Sequence, residues 1–282
     1  MAPLAAPAGA VTLLFMMSTA SAHFIWMDVE SSGGRHEARL TFSEAAGSPG
    51  PEMLLDLIVN STSLYLAVSG SARRPIPLTK KRDGLMQYEL VSSSSLPAAP
   101  FMLEALCTFG IFGPNHDELL TYSASADRVT MPHDWFWIQD AAKAALEVTL
   151  RDPWMKGIAG TRVVGGGAEY LGGSADLPPG YECPPGSSTY QGDACVIAVV
   201  RFHGELIDYD VNVTTFDSSG KRLRASLLPA AARGVALIRV PMQVGARSFA
   251  SVNLREPKPG VYKGHNYTVV DHWATTSMVL QR

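Results

Sequence analysis

Long charged runs, long apolar runs and closely paired cysteines are what this sequence has least of. Only 17% of its residues are Asp, Glu, Lys or Arg, and the formal net charge is −3. The short basic groups Arg73-Arg74 and Lys80-Lys81-Arg82 read as solvated turns. Such a chain lacks the dense positive face that nucleic acid or an anionic bilayer selects, so no nucleic-acid partner is expected. No apolar run reaches the ~20 residues needed to cross a bilayer, and no membrane span is expected in the mature chain. There are three cysteines and no C-x-x-C pair, which removes the cysteine-built zinc site and the dithiol redox motif. The Gly-x-Ser-x-Gly elbow, the His-Glu-x-x-His helix, the phosphate-binding loop and the calcium loop are all missing. No catalytic set is therefore assigned. With 46% hydrophobic residues the chain can still bury a large core, and its composition is not that of disorder.

What is present begins at the N-terminus. Ala10 to Met17 (AVTLLFMM) is a short apolar run followed by Ser18-Thr19-Ala20-Ser21-Ala22, small residues at the positions a signal peptidase reads. Residues 1–22 are expected to be a signal peptide, giving a secreted or extracellular product, or a periplasmic one in a bacterium. Cleavage after Ala22 would make His23 the first residue; cleavage after Ala20 would leave Ser21-Ala22-His23 in front. Secretion suits the three acceptor triplets at Asn60, Asn212 and Asn266 as glycosylation sites. It also suits a disulfide between Cys183 and Cys195, whose intervening CPPGSSTYQGDAC carries the turns needed to bring the two together. Closing so short a loop would contribute about 3 kcal/mol in the chain-entropy view. Cys107, in the apolar FMLEALCTF, reads as a buried inert thiol.

Short period-two runs separated by Gly, Pro, Ser and Asp predict an all-β fold. The strands expected in the first half are His23 to Val29, Glu37 to Phe42, Leu64 to Val68, Leu85 to Leu90, Phe101 to Phe109 and Leu119 to Ser123, with one helix over Pro51 to Val59. A second set follows from Ala145: ALEVTL, Cys195 to Phe202, a hairpin of Asp210 to Phe216 with Lys221 to Leu227, then Gly234 to Val240, Ser248 to Leu254 and Val269 to Leu280. The expected architecture is two tandem β-sandwich domains of immunoglobulin-like or transthyretin-like type. They cover residues 23–133 and 145–282, with 134–144 as connector and residues 157–194 as a Gly/Pro-rich loop. Trp135, Phe136 and Trp137 in the connector are expected to fill the seam between the domains.

The chemistry rests on histidine. A chain starting at His23 offers an α-amino nitrogen and an imidazole on one residue, a chelate that needs no loop to be ordered. One more imidazole would complete a three-nitrogen set suited to copper or nickel. Both nitrogens can give up their protons to a metal near neutral pH. The other cut also leaves a metal-competent end, because an amine, two deprotonated amides and an imidazole in third position can surround Cu(II) or Ni(II) in a plane. His272, in VVDHWATTSMVL, is the leading partner for His23, since a first and a last strand can meet. His116 and His133, beside Asp117 and Asp134, are further metal candidates. His36, His203 and His265 read as solvent-exposed turn or loop residues.

At these positions the sequence resembles a family of secreted, mostly bacterial proteins, a domain of unknown function related to the periplasmic component of nickel and cobalt uptake. The resemblance runs through His23-Phe24-Ile25-Trp26, LTFSEAAGSPGP, PIPLTKKRDGL, CTFGIF with LLTYSA, LEVTLRDP, RFHGELIDYDVNVTTFDSSGKRL and KPGVYKGHNYTVVDHWATTSMVL. It implies tandem sandwiches and metal handling, with a membrane transporter as a possible recipient, and it makes Glu44 an additional ligand candidate. Residues 157–194 depart from the family as a longer loop. Two other readings use the same sequence: a non-catalytic adhesion or carbohydrate-binding protein with a cell-surface glycan as partner, and a copper oxidoreductase acting on polysaccharide.

Overall fold

A computed structural model describes residues 23–68, 71–84, 87–98, 101–113, 115–128, 144–151, 193–207, 213–217, 219–222, 226–227, 235–241 and 247–279. The described chain is all-β with one short helix. In order the elements are β1 (Phe24–Ser32), β2 (Arg35–Ser43), β3 (Gly50–Pro51), α1 (Glu52–Ile58), β4 (Thr62–Val68), β5 (Arg74–Ile76), β6 (Leu78–Arg82), β7 (Gln87–Ser92), β8 (Phe101–Phe112) and β9 (Glu118–Arg128). Then follow β10 (Leu146–Arg151), β11 (Asp193–Phe202), β12 (Glu205–Leu206), β13 (Val213–Phe216), β14 (Ser226–Leu227), β15 (Val235–Pro241), β16 (Arg247–Tyr262) and β17 (His265–Val279). The helix starts one residue later than the expected Pro51: Pro51 stands at the N-cap with extended geometry and Glu52 occupies the first turn. Leu55 and Ile58 are its buried face.

Three sheets form. One runs β1-β2-β7-β3, with β6 also on β7; a second runs β10-β11-β15-β14, with β12 on β11; a seven-stranded sheet runs β13-β16-β17-β9-β8-β4-β5. This last sheet joins the two halves of the chain, because β17 pairs in parallel with β9 over Val269 to Thr276. The basic groups read as turns are strands instead. Arg74 opens β5 and Lys80-Lys81-Arg82 lie in β6, where exposed charges on an edge strand are compatible with pairing to β7. The expected hairpin after β13 also differs. Among the described residues β13 pairs with β16, Phe216 forms an isolated bridge with Arg222, and Ser226 and Leu227 pair with β15.

The position of β1 decides where the N-terminal site lies. Ile25 and Met27 belong to the main core with Leu40, Phe42, Leu90, Phe101, Leu103 and Tyr122. Phe24 and Trp26 belong to a second core with Ala46, Phe216 and Phe249, and Trp273 packs against both. Period-two alternation thus makes β1 a partition between two cores rather than a surface strand. Its open edge meets the C-terminal strands. The Thr275 hydroxyl donates to Ile25 O at 2.5 Å, Arg247 donates to Val29 O at 3.3 Å, and Arg247 also forms an ion pair with the largely buried Asp28. Hydrogen bonds on the side away from β2 satisfy carbonyls that an edge strand would otherwise leave open. Gly47 permits the second core to close. It adopts φ +67°, and a Cβ there would overlap the ring of Phe249.

Candidate functional site

His23 immediately precedes β1 and is held by it. Its side chain is one-third exposed, its ring centroid lies 5.8 Å from that of Phe42, and its Nε2 stands 3.7 Å from Glu44 Oε1. Glu44 follows the end of β2, and antiparallel pairing of Phe24 with Ser43 brings the two ends together. The Ser43 hydroxyl, which also bridges Ala45 O and Ser48 O, fixes the loop that carries Glu44. The result is an imidazole and a carboxylate side by side at the rim of the aromatic core.

His272 does not join them. On β17 it neighbours Trp273, whose ring meets that of Phe24 with centroids 5.0 Å apart. Adjacent strand residues point to opposite faces, so His272 lies across the seven-stranded sheet from His23. There it is buried, and each ring nitrogen has a partner: Nδ1 is 2.9 Å from Thr121 Oγ1, its register partner on β9, and Nε2 is 3.1 Å from Glu256 Oε2. His203 approaches the other oxygen of the same carboxylate, Nε2 to Oε1 3.2 Å. The Phe202 ring packs on both imidazoles. Burial pushes the His272 imidazole below its ordinary pKa although Glu256 opposes the shift. Burial alone would raise Glu256, but hydrogen bonds from His272 and His203 outweigh it and hold this carboxyl below the usual value.

His203 was expected to be an idle turn residue. It does sit in a two-residue turn between β11 and β12, where His203 and Gly204 take φ of +52° and +84°. The turn is tied to Ala145 O by the His203 amide at 2.7 Å, which aims the ring at Glu256. Glu256 was not singled out in the sequence, where the strand was expected to end at Leu254; β16 continues through Glu256, with a register shift between Pro257 and Gly260. His36 is likewise not a loop residue. It is buried in β2 with Nδ1 2.7 Å from Ser31 Oγ.

The remaining candidates are apart from both groups. His116 is exposed on the β8–β9 connection, with φ +53° and its amide bonded to Gly113 O. His133, Cys183, Asn212, Trp135, Phe136 and Trp137 lie outside the described residues, and with them the disulfide expectation. Cys195 falls within β11, opposite Arg239. Cys107 is free and buried, 3.3 Å from Ser61 Oγ, and burial raises its thiol pKa. Asn60 and Asn266 are exposed. Among the described residues no three His, Cys, Asp or Glu side chains gather at a spacing able to hold a metal ion, and no helix is long and apolar enough to cross a membrane. No protein-family description matches this chain, and no curated protein does either.

Proposed function

We propose that this is a secreted copper- or nickel-binding protein that uses His23 as its mature N-terminus and acts in metal uptake or delivery. The observation that carries the reading is the placement of His23: partly exposed, anchored by a strand buried on both sides, and faced by Glu44 through Nε2. Cleavage after Ala22 would free an amine on the residue that bears the imidazole. Amine and near ring nitrogen can then grip one ion, while Nε2 faces a carboxylate that would orient the ring and raise its basicity, as carboxylates commonly do beside metal-bound histidine.

The residues present fit a shallow claw better than a closed cage. Two nitrogens from one residue and a nearby carboxylate leave coordination positions for water or for a donor from a recipient, which suits an ion that must be handed on. His272, across the sheet, is not part of this set. The resemblance to the nickel and cobalt uptake family supports the same reading, and with it goes the proposed division into tandem immunoglobulin-like or transthyretin-like sandwiches. Among the described residues Trp26, Phe42, Tyr122 and Phe249 are buried and Phe112 is exposed, so the adhesion alternative is left to the glycan-binding measurement below.

Mass spectrometry of the secreted product, coupled to copper and nickel titration, tests the proposal. The expected product begins at His23, and His23→Ala loses most of the affinity while Glu44→Gln loses about tenfold. A product beginning at Ser21 would move the site to the amine, amides and imidazole of Ser21-Ala22-His23. Unchanged metal affinity in His23→Ala would sink the proposal, and glycan binding that persists after chelation would favour adhesion.

A further inference from the structure

Four large apolar side chains stand out into solvent among the described residues: Met53 (63% exposed), Leu57 (53%), Phe112 (43%) and Val261 (65%). Three of them are close to an acceptor asparagine along the chain or across a strand pair: Met53 and Leu57 lie seven and three residues before Asn60, and Val261 is opposite Asn266. Met53 and Leu57, four residues apart on α1, share one helix face, and Asn60 stands in the turn just after the helix. α1 buries Leu55 and Ile58 and is clamped to β6 by Lys80, whose Nζ lies 2.7 Å from both Glu52 Oε1 and Asp56 Oδ1. The helix is therefore fixed, and its outer ridge faces solvent with Asn60 at the C-terminal end. The turn that follows, with the Ser61 amide bonded to Ile58 O at 3.0 Å, leads directly into β4 and keeps Asn60 exposed. Val261 is the register partner of Asn266 across the β16–β17 hairpin. Such cross-strand partners share one face with Cβ atoms about 5 Å apart.

We infer that Asn60 and Asn266 carry N-linked oligosaccharides whose inner sugars cover these apolar patches, Met53 with Leu57 in one case and Val261 in the other. In the transfer, the asparagine Nδ2 forms a bond to the anomeric carbon of a lipid-pyrophosphate-linked oligosaccharide. The bond from that carbon to the pyrophosphate oxygen breaks, the amide loses one proton and the lipid pyrophosphate leaves. The carbon-bound hydrogens on sugar faces make them suitable covers for isolated apolar side chains, which otherwise remain hydrated at a cost proportional to their exposed area. The inference rests on the secretion part of the proposed function but not on metal binding.

The test expresses the full chain in a eukaryotic secretory host, maps glycopeptides, and follows Met53 oxidation by dilute peroxide. The expected result is sugar at both Asn60 and Asn266, with Met53 oxidised several-fold faster in Asn60→Gln and in wild type after enzymatic sugar removal. The enzymatic arm gives the same comparison should Asn60→Gln not fold. Bare Asn60 or Asn266 in the secreted protein would overturn the inference, as would Met53 oxidation indifferent to the sugar. A parallel chain with an unrelated leader fused ahead of His23 separates the two readings. Glycosylation only in that chain would refute the native signal and leave the sugar sites standing; bare asparagines in both would refute the sugar sites alone.

Discussion

On one face of β17, Trp273 meets Phe24 and, through it, the aromatic core around Trp26; on the other, His272 meets Phe202 and shares the Glu256 carboxylate with His203. The first face is held by apolar area and by ring packing that places Phe216 and Phe249 edge-on to Trp26, at 5.1 and 5.7 Å. The second is held by directed polar contacts in which each nitrogen and oxygen needs a partner. The difference gives the two faces different sensitivities. The aromatic face responds to lost volume and is indifferent to mild acid, whereas the histidine face tolerates isosteric polar exchange and responds to protons.

The largest effect should come from Trp26→Ala. Trp26 is 1% exposed, contacts both Phe216 and Phe249, and donates from Nε1 to Ser43 O at 3.1 Å. Urea unfolding should show a loss of about 3–5 kcal/mol, and a loss below about 1 kcal/mol would contradict the role of β1 as a partition between two cores. Arg247→Met comes next. Removing the cation strands Asp28, whose pKa burial already raises against the opposing pull of Arg247. Because Arg247 is about one-third exposed, the expected loss is near 2 kcal/mol rather than the full penalty of a buried pair. The double variant with Asp28→Asn should recover part of it, and a double variant no better than the single one would show that charge is not what joins β1 to β16.

The polar face offers a test by pH. His272 titrates below its ordinary value of 6.5 in the folded chain, so the unfolded chain binds the proton first and stability falls as pH drops below 6.5. Glu256, held below its ordinary 4.5, adds a second loss that begins around that lower pH and runs down through the folded value. His272→Gln should cost about 1 kcal/mol at neutral pH and flatten the first window while leaving the aromatic face unaffected. Equal acid slopes in the two proteins would remove the contrast between the faces. The smallest effect on stability belongs to His23→Ala. A partly exposed side chain at the start of β1 should change unfolding by less than about 0.5 kcal/mol, so the proposed metal binding can be tested with this variant without loss of fold.

Much of the fold is legible along the chain because its signals are local. The period-two runs of β1, β2, β4, β7, β8 and β9, and the Pro-Glu opening of α1, depend only on neighbouring residues. The basic edge strands β5 and β6 were hidden because solvated charges on a strand edge look like a turn. β16 extends beyond the expected end at Leu254, past Pro257, Pro259 and Gly260, with a register shift between Pro257 and Gly260; a strand can carry proline where no ladder bond is required. Of the candidate site, His23 was legible from its place directly behind the small-residue run, whereas Glu44 entered only through the family resemblance. The partner assigned to His23 was not legible, since the face on which a histidine emerges is set by registers between distant segments.

What the sequence by itself determined is the β-rich character, the helix α1, and the identity of the residues with metal-ligating side chains: periodicity and composition act over a few residues and need no partner. Only the tertiary structure decided that β17 lies parallel to β9, that β1 divides two cores, and that His23 and His272 look away from one another. Those outcomes depend on which strands pair and in what register, and a shift of one residue turns a side chain to the other side of the sheet.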